Sequence, residues 1–246
     1  MKKLANKIAL VTGGSRGIGA AIVKRLAAEG ATVAFTYHSS PEKAEALAQE
    51  INANGGKAQA IAANSADALA VTAAVEQTIA QFGALDILVN NAGIYVGKAF
   101  EEHNLQDYED IMAVNVRAVY AASLAAVKHL PAGGRIINIG SNMAENAVGP
   151  AGTLYVMSKA AVHGLTRGLA RDLGSKGITV NTVQPGPIDT DMNPANSELA
   201  DFLRPRMALS EYGTGADVAG LVAFLASNEG QYITGAALTI DGGFNA

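Results

Sequence analysis

Ile8-Ala-Leu-Val-Thr12-Gly-Gly-Ser-Arg-Gly-Ile-Gly19 opens with an apolar run, passes into a glycine cluster and leads into an amphipathic pattern from Ile18 to Glu29 that Gly30 stops. The order is that of a strand, a tight turn and a helix. Glycines at such a turn let the backbone pass close to a pyrophosphate, whose charge the helix N-terminus favours. Taken alone, a glycine cluster also fits an ordinary tight turn. The rest of the chain decides between the two.

Strand-like and helical patterns alternate from end to end. Thr32-Val-Ala-Phe-Thr-Tyr37 precedes a helical stretch from Pro41 to Asn52, with Pro41 suited to a first turn and Gly55-Gly56 to the exit. Lys57 to Ala62 reads as a short strand, Asp67 to Phe82 as a helix, and Leu85-Asp-Ile-Leu-Val-Asn90 as a strand covered on both faces. A long helical region from about Leu105 to Leu130, the strand Arg135–Ile139 and a second long helix around Tyr155 to Gly174 follow. Ile178–Val183 and Ala237–Ile240 complete the strands. Repeated strand–helix units imply right-handed parallel crossovers, hence an α/β architecture: a doubly wound parallel sheet of about seven strands with helices on both faces. No linker-like composition divides residues 1–246, so one domain is expected. The least regular part, Pro185 to Gly213, fits either a lid or binding loop or a surface helix with irregular flanks.

Composition narrows the function classes. Of 246 residues, 49% are hydrophobic, enough for one large core. A formal charge of -4 without a basic run argues against nucleic-acid and membrane-surface partners. The chain has no Cys, which removes disulfides, thiolate metal sites and a thiol nucleophile, and fits a reducing compartment. The apolar run after Met1–Lys7 is too short for a signal peptide or a membrane span, so a cytoplasmic protein is expected. His38, His103, His129 and His163 show no metal-ligand spacing, and no metal site is expected.

Tyr155 and Lys159 lie four residues apart, one helical turn on one face. An ammonium near a phenol lowers its pKa and makes it a candidate general acid or base, although the same spacing occurs on many solvated helices. The glycine spacing Gly13-x-x-x-Gly17-x-Gly19 differs from the commonest dinucleotide fingerprint and resembles that of the short-chain dehydrogenase/reductase family. Asn90-Asn-Ala-Gly93 after the fourth strand, Asn115 in Met112–Val116, Ser141 after the fifth strand, Tyr155-x-x-x-Lys159, Pro185-Gly-Pro-Ile-Asp-Thr190 and Asp241-Gly-Gly243 resemble family elements in the same order. The resemblance spans essentially the whole chain and implies a single-domain Rossmann fold. It also implies a catalytic set of Asn115, Ser141, Tyr155 and Lys159. Tyr155 would donate a proton to a carbonyl oxygen as hydride arrives, Lys159 would lower the phenol pKa and hold the nicotinamide ribose, and Ser141 would stabilise the developing charge. Asn115 would hold a water feeding protons to Lys159. The Ser141-to-Tyr155 spacing is one residue longer than in many relatives, as in the naphthol reductase branch.

The same resemblance places the cofactor along Gly13, Ser15, Arg16, Gly17, Ile18 and Gly19, with Asn91, Ala92 and Gly93, then Tyr155 and Lys159, and Pro185, Gly186, Ile188 and Thr190 on the nicotinamide side. At the end of the second strand, Tyr37 stands where NAD-preferring enzymes often carry a carboxylate. Without that repulsion, Arg16 can pair a 2′-phosphate, with His38, Ser39 and Ser40 beside it, and NADPH/NADP+ is the expected cofactor. Asn64-Ser65 replace the usual Asp and apolar residue near the adenine; an Asn carbonyl can still accept from the adenine amino group.

Substrate choice is expected from about 190–212, carrying Met192, Leu199, Phe202, Leu203 and Met207, and from Asn142–Leu154, carrying Met143, Val148, Pro150 and Leu154. Met143, Leu154 and Met192 are the named candidates for contact with a small-molecule carbonyl substrate. The nearest branches by resemblance are 3-oxoacyl-carrier-protein reductases and broad ketone reductases, and Arg204 and Arg206 could meet a carrier protein. Val183–Asp191 with Asn193-Pro-Ala-Asn196 resembles a bacterial branch linked to cyclic-di-GMP binding and biofilm dispersal, so a nucleotide-binding regulatory role on the same fold is the alternative. The long helices match those that pair across subunits in family homotetramers; their apolar faces could instead be internal.

Overall fold

The structure, a computed structural model, describes residues 2–246. Its centre is a seven-stranded parallel sheet. The strands are β1 Ile8–Val11, β2 Thr32–Tyr37, β3 Lys57–Ala62, β4 Ile87–Asn90, β5 Arg135–Ile139, β6 Thr179–Pro185 and β7 Ala237–Ile240, in the order β3-β2-β1-β4-β5-β6-β7. Apolar residues fill both faces of the central strands because both are covered by helices. Ala9, Val11, Val33, Phe35, Ile87, Val89, Ile137 and Ile139 pack with α1 Gly17–Ala28, α2 Pro41–Ala53 and α8 Gly215–Ala226. The alternate residues Leu10, Ala34, Leu88 and Ile136 pack with α3 Ala68–Phe82, α5 Ala118–Ala126 and α6 Thr153–Leu173. This period of two is the pleat expressed as two cores. The chain reverses its direction across the sheet between β1 and β4, which opens a crevice at the strands' C-terminal ends. This is the doubly wound Rossmann-type α/β fold expected from the sequence.

One element was not expected, and two expected regions gain detail. The helical region from 105 is continuous: α4 Leu105–Met112 leads into a π-helical turn, Ala113–Arg117, and then into α5. The segment 185–213 has the backbone of a short surface helix, α7 Glu198–Leu203, with irregular flanks and a single 3-10 turn at Arg204–Arg206. Helix α8 has no counterpart in the sequence reading. Its start was nonetheless marked, because the Thr214 side chain accepts from Asp217 N and the Asp217 carboxylate accepts from Thr214 N, a reciprocal cap before an apolar run.

The core is not wholly apolar. Asn90 donates to Asn138 at 2.8 Å, Asn138 donates to Thr166 Oγ1 at 2.8 Å, and the Thr166 and Thr182 hydroxyls meet at 2.7 Å. These four side chains, from β4, β5, α6 and β6, are at most 2% exposed. Burial at that depth is tolerable because each side chain has at least one partner, although the Asn90 Oδ1 has none among the described residues.

Candidate active site

The glycine turn between β1 and α1 is held by its neighbours in the sheet. Thr36 of β2 accepts from Gly13 N through Oγ1 at 2.9 Å and from Gly14 N through its carbonyl at 2.8 Å. From the end of β4, the Asn91 amide donates to both Thr12 O and Gly13 O at 3.0 Å, while Thr12 Oγ1 accepts from Asn91 N and Ala92 N. Gly13 and Gly17 sit at φ +65 and +53, where a side chain is strained. A Cβ on Gly19 would collide with the Gly13 carbonyl and lie 2.6 Å from the Asn91 amide nitrogen. Helix α1 carries no acidic residue in its first turn, and Arg16 makes no side-chain cap there. Its leading N–H groups are therefore offered outward with the positive end of the helix dipole. Glycines pressed against backbone, below an uncapped helix start, fit a dinucleotide pyrophosphate.

The rim of this turn is charged. Arg16 is exposed, as are His38 and Ser39, while Ser15 and Tyr37 are half-buried. Ser15, Arg16, Gly17, Lys43 and Asp191 line one depression, and Lys43 Nζ lies 3.4 Å from Asp191 across it. Thr190 reaches over the turn, its methyl carbon 3.5 Å from where a Gly17 Cβ would stand. Gly186 packs on Asp241 so closely that a Cβ there would clash, and Pro185 and Ile188 are buried beside it. The Asn64 carbonyl oxygen accepts from Ala66 N at 2.9 Å, a local turn that leaves its second lone pair for a further donor. Ser65 is half-buried next to it.

Two of the four candidate proton-handling residues, Lys159 and Asn115, meet at Gly93. A Cβ on Gly93 would stand 3.3 Å from Lys159 Nζ and 3.5 Å from Asn115 Oδ1. Asn115 projects from the π-helical turn, where the extra residue re-aims a side chain. Its amide donates to Ile94 O and Ser158 Oγ, and its Oδ1 accepts from Ile94 N, so the side chain clamps the loop after β4. Lys159, 4% exposed, donates to the carbonyl of Ile139, the last residue of β5, at 3.0 Å. Its Nζ lies 5.5 Å from the Tyr155 ring centroid. Ser141 is buried and its Oγ accepts from Met143 N at 3.1 Å. Burial lowers the Lys159 pKa to about 8. Burial also raises Tyr155, a hydrogen bond with Ser141 acts in the opposite direction, and the Tyr95 phenol adds to the rise. Burial and the Tyr95 phenol set the upward direction of the Tyr155 shift, which favours the protonated, donating form, while the Lys159 ammonium donates to the Ile139 carbonyl.

Of the substrate candidates, Met143 lies over the start of α6, its methyl 3.0 Å from where a Gly152 Cβ would be. Leu154 is 7% exposed, Met192 61%. Tyr95 was missed: its ring meets that of Tyr155 edge-on, with centroids 5.2 Å apart and planes at 70°. It falls in coil two residues after the Asn-Asn-Ala-Gly element, and only its aromatic character marked it.

A Rossmann-type sheet with a glycine turn at the switch point and a Tyr–Lys pair beside it defines an oxidoreductase of the dinucleotide-dependent class. The chain belongs to the short-chain dehydrogenase/reductase family. Residues 13–245 match the family model described as enoyl-(acyl carrier protein) reductase. The cyclic-di-GMP-binding biofilm dispersal mediator protein of Escherichia coli (strain K12) is 47% identical over 246 residues, covering 100% of both chains. The 3-oxoacyl-[acyl-carrier-protein] reductase FabG of Staphylococcus aureus (strain Mu50) is 44% identical over 241 residues, 96% of this chain and 97% of that protein. Among solved structures, a blue fluorescent protein from a metagenomic library in complex with NADPH is 57% identical, with a TM-score of 0.98 over 99% of this chain and 100% of that one.

Proposed function

We propose that this protein is an NADPH-dependent carbonyl reductase that converts a ketone or aldehyde, 3-oxoacyl thioesters among them, to the alcohol. The observation that carries the reading is the convergence of Lys159 and Asn115 on Gly93, with the Tyr155 ring at Lys159 and the glycine turn beside them. When bound, the nicotinamide supplies hydride. Tyr155, held protonated by burial, donates its proton to the carbonyl oxygen, and the Ser141 hydroxyl donates a hydrogen bond to the same oxygen as charge develops. Lys159 returns a proton to Tyr155 and holds the cofactor ribose. Asn115 fixes the loop from Asn91 to Tyr95 and orders the proton path to Lys159. NADPH consumption with a panel of aldehydes, ketones and acyl thioesters tests the reading; no turnover with any of them counts against it.

Cofactor choice and pH dependence each carry a measurable consequence. With Arg16 exposed and no carboxylate at Tyr37–Ser39, kcat/KM is expected to favour NADPH over NADH, and Arg16→Ala to reduce that preference by about tenfold. Equal use of both cofactors by the unaltered protein refutes the assignment. Second, Lys159 is charged below its pKa of about 8 and neutral above it. The kcat/KM for carbonyl reduction should be level at lower pH and fall by about tenfold per unit above that point. Lys159→Arg, which keeps the charge, should move the falling limb upward; a profile level to well above the lysine pKa would rule out the relay.

The identity to the biofilm dispersal mediator favours one second reading, binding of cyclic-di-GMP on the same fold. Calorimetry with cyclic-di-GMP beside NADPH turnover separates them: tight binding without turnover reverses the ranking. Exposed Tyr108, Tyr120, Leu124 and Met157 on α4, α5 and α6 support a homotetramer built on these helices. A monomer in light scattering would overturn that assembly.

A further inference from the structure

Tyr95 lies outside both the glycine turn and the proton-handling set, yet it touches the latter. Its ring packs edge-on against that of Tyr155, with centroids 5.2 Å apart. Its hydroxyl donates to Ala151 O at 3.3 Å, linking the loop after β4 to the segment that leads into α6. Ala151 sits at φ +66, a region a non-glycine residue enters at a cost, so the carbonyl it presents is held there by its surroundings. On the other side, the Gly97 backbone lies against the Tyr95 ring: a Cβ there would come within 2.7 Å of a ring carbon and 3.2 Å of the hydroxyl. The ring is thus wedged between Gly97, Ala151 and Tyr155 while remaining 45% exposed.

An exposed aromatic face beside the proton donor has a use that packing alone does not require. Aromatic pairs gain from offset or edge contact beyond simple burial, and a third ring can join such a pair. Met143, whose methyl lies 3.0 Å from where a Gly152 Cβ would stand at the start of α6, has a polarizable thioether of the kind that favours aromatic contact.

We propose that Tyr95 is a specificity-determining and positioning residue: its ring forms the wall against the substituent of the reacting carbonyl, orients Tyr155, and favours flat, aromatic substituents over small aliphatic ones. The proposal rests on the carbonyl reductase reading and deepens it by naming the substrate class. The Tyr95 hydroxyl pins the ring through Ala151; the ring itself does the selecting. Tyr155 is then held by α6 on one side and by the loop from Asn91 on the other.

The test compares kcat/KM for acetophenone and butanone, with NADPH, in the unaltered protein and in Tyr95→Ala, Tyr95→Phe and Gly97→Ala. The unaltered protein should prefer acetophenone. Tyr95→Ala should lower that preference by about fivefold to tenfold, the size of an aromatic pair's contribution, with NADPH affinity unchanged. Tyr95→Phe should restore most of the preference, and Gly97→Ala, which pushes the ring from the side, should lower it without removing any functional group. A residue that only stabilised the fold would lower the melting temperature and slow both substrates alike. Turnover with an unchanged ratio in Tyr95→Ala and Gly97→Ala, or a butanone preference in the unaltered protein, overturns the proposal and leaves the reductase reading standing. No turnover of any carbonyl compound by the unaltered protein overturns both.

Discussion

Tyr155→Phe is expected to lower kcat for carbonyl reduction by about a thousandfold while leaving the fold and NADPH affinity intact. The size follows from what a positioned proton donor contributes, commonly 10²–10⁴-fold. The change deletes one oxygen and keeps the ring, so the edge contact with Tyr95 and the position over Lys159 are retained. No burial cost is added, because the phenol is already in a desolvated place that raises its pKa. Kinetics and cofactor titration by fluorescence check the two halves separately. Near-normal reduction by a folded Phe variant would remove Tyr155 from the reaction. A parallel loss of NADPH affinity would make it a binding residue instead.

Gly19→Ala is expected to weaken NADPH binding by about a hundredfold or more and to lower the melting temperature by several degrees. The added methyl would strike the Gly13 carbonyl and the Asn91 amide, and both are backbone-anchored. Asn91 cannot move away without giving up its bonds to Thr12 O and Gly13 O, the two that shape the turn. Overpacking of this kind costs about 1–3 kcal/mol, or roughly 2–10 °C for a chain of this size. The matched control is Gly220→Ala in α8, where the nearest atom to a Cβ is Arg25 Nη1 at 3.7 Å. That variant should keep NADPH affinity and melt slightly higher, as alanine favours a helix. Calorimetry on both variants decides the matter; equal affinities would mean that the turn does not cradle the cofactor.

The sheet was legible because its strands are short apolar runs separated by turn signals, and β3, β5 and β7 fall at their expected bounds. Helix α8 was not, since it follows a proline-rich stretch and is apolar enough to lack a clear polar face; only the Thr214–Asp217 cap announced it. The π-helical turn at Asn115 left no periodic trace either, because one extra residue in a helix shifts a pattern without interrupting it. The candidate site was readable as an ordered set of motifs, and the fold gathers Asn115, Lys159 and Gly93. What could not be read was the balance of environments. The direction of the Tyr155 shift depends on how its half-buried phenol is packed, and Tyr95 acquires its place only through the loop's path beside α6.

The chain of amides and hydroxyls from Asn90 through Asn138 and Thr166 to Thr182 bears on how reliably the molecule assembles. Apart from Asn90, Arg135 and Asn138, the strands Ile87–Asn90 and Arg135–Ile139 are apolar, and a slip of two residues would keep every side chain on its proper face. Such a slip would face an isoleucine to the Asn90 amide and strand both polar groups in a dry interior, at a cost of about 1–3 kcal/mol each. The ladder therefore acts as a proofreading key for β4 and β5 as they meet. Ser141 and the carbonyl that receives Lys159 hang from the end of β5, so a mispaired chain would be inert rather than slow. Damage to the key, as in Asn138→Leu, would then surface as fewer active molecules in each preparation, each turning over at the normal rate.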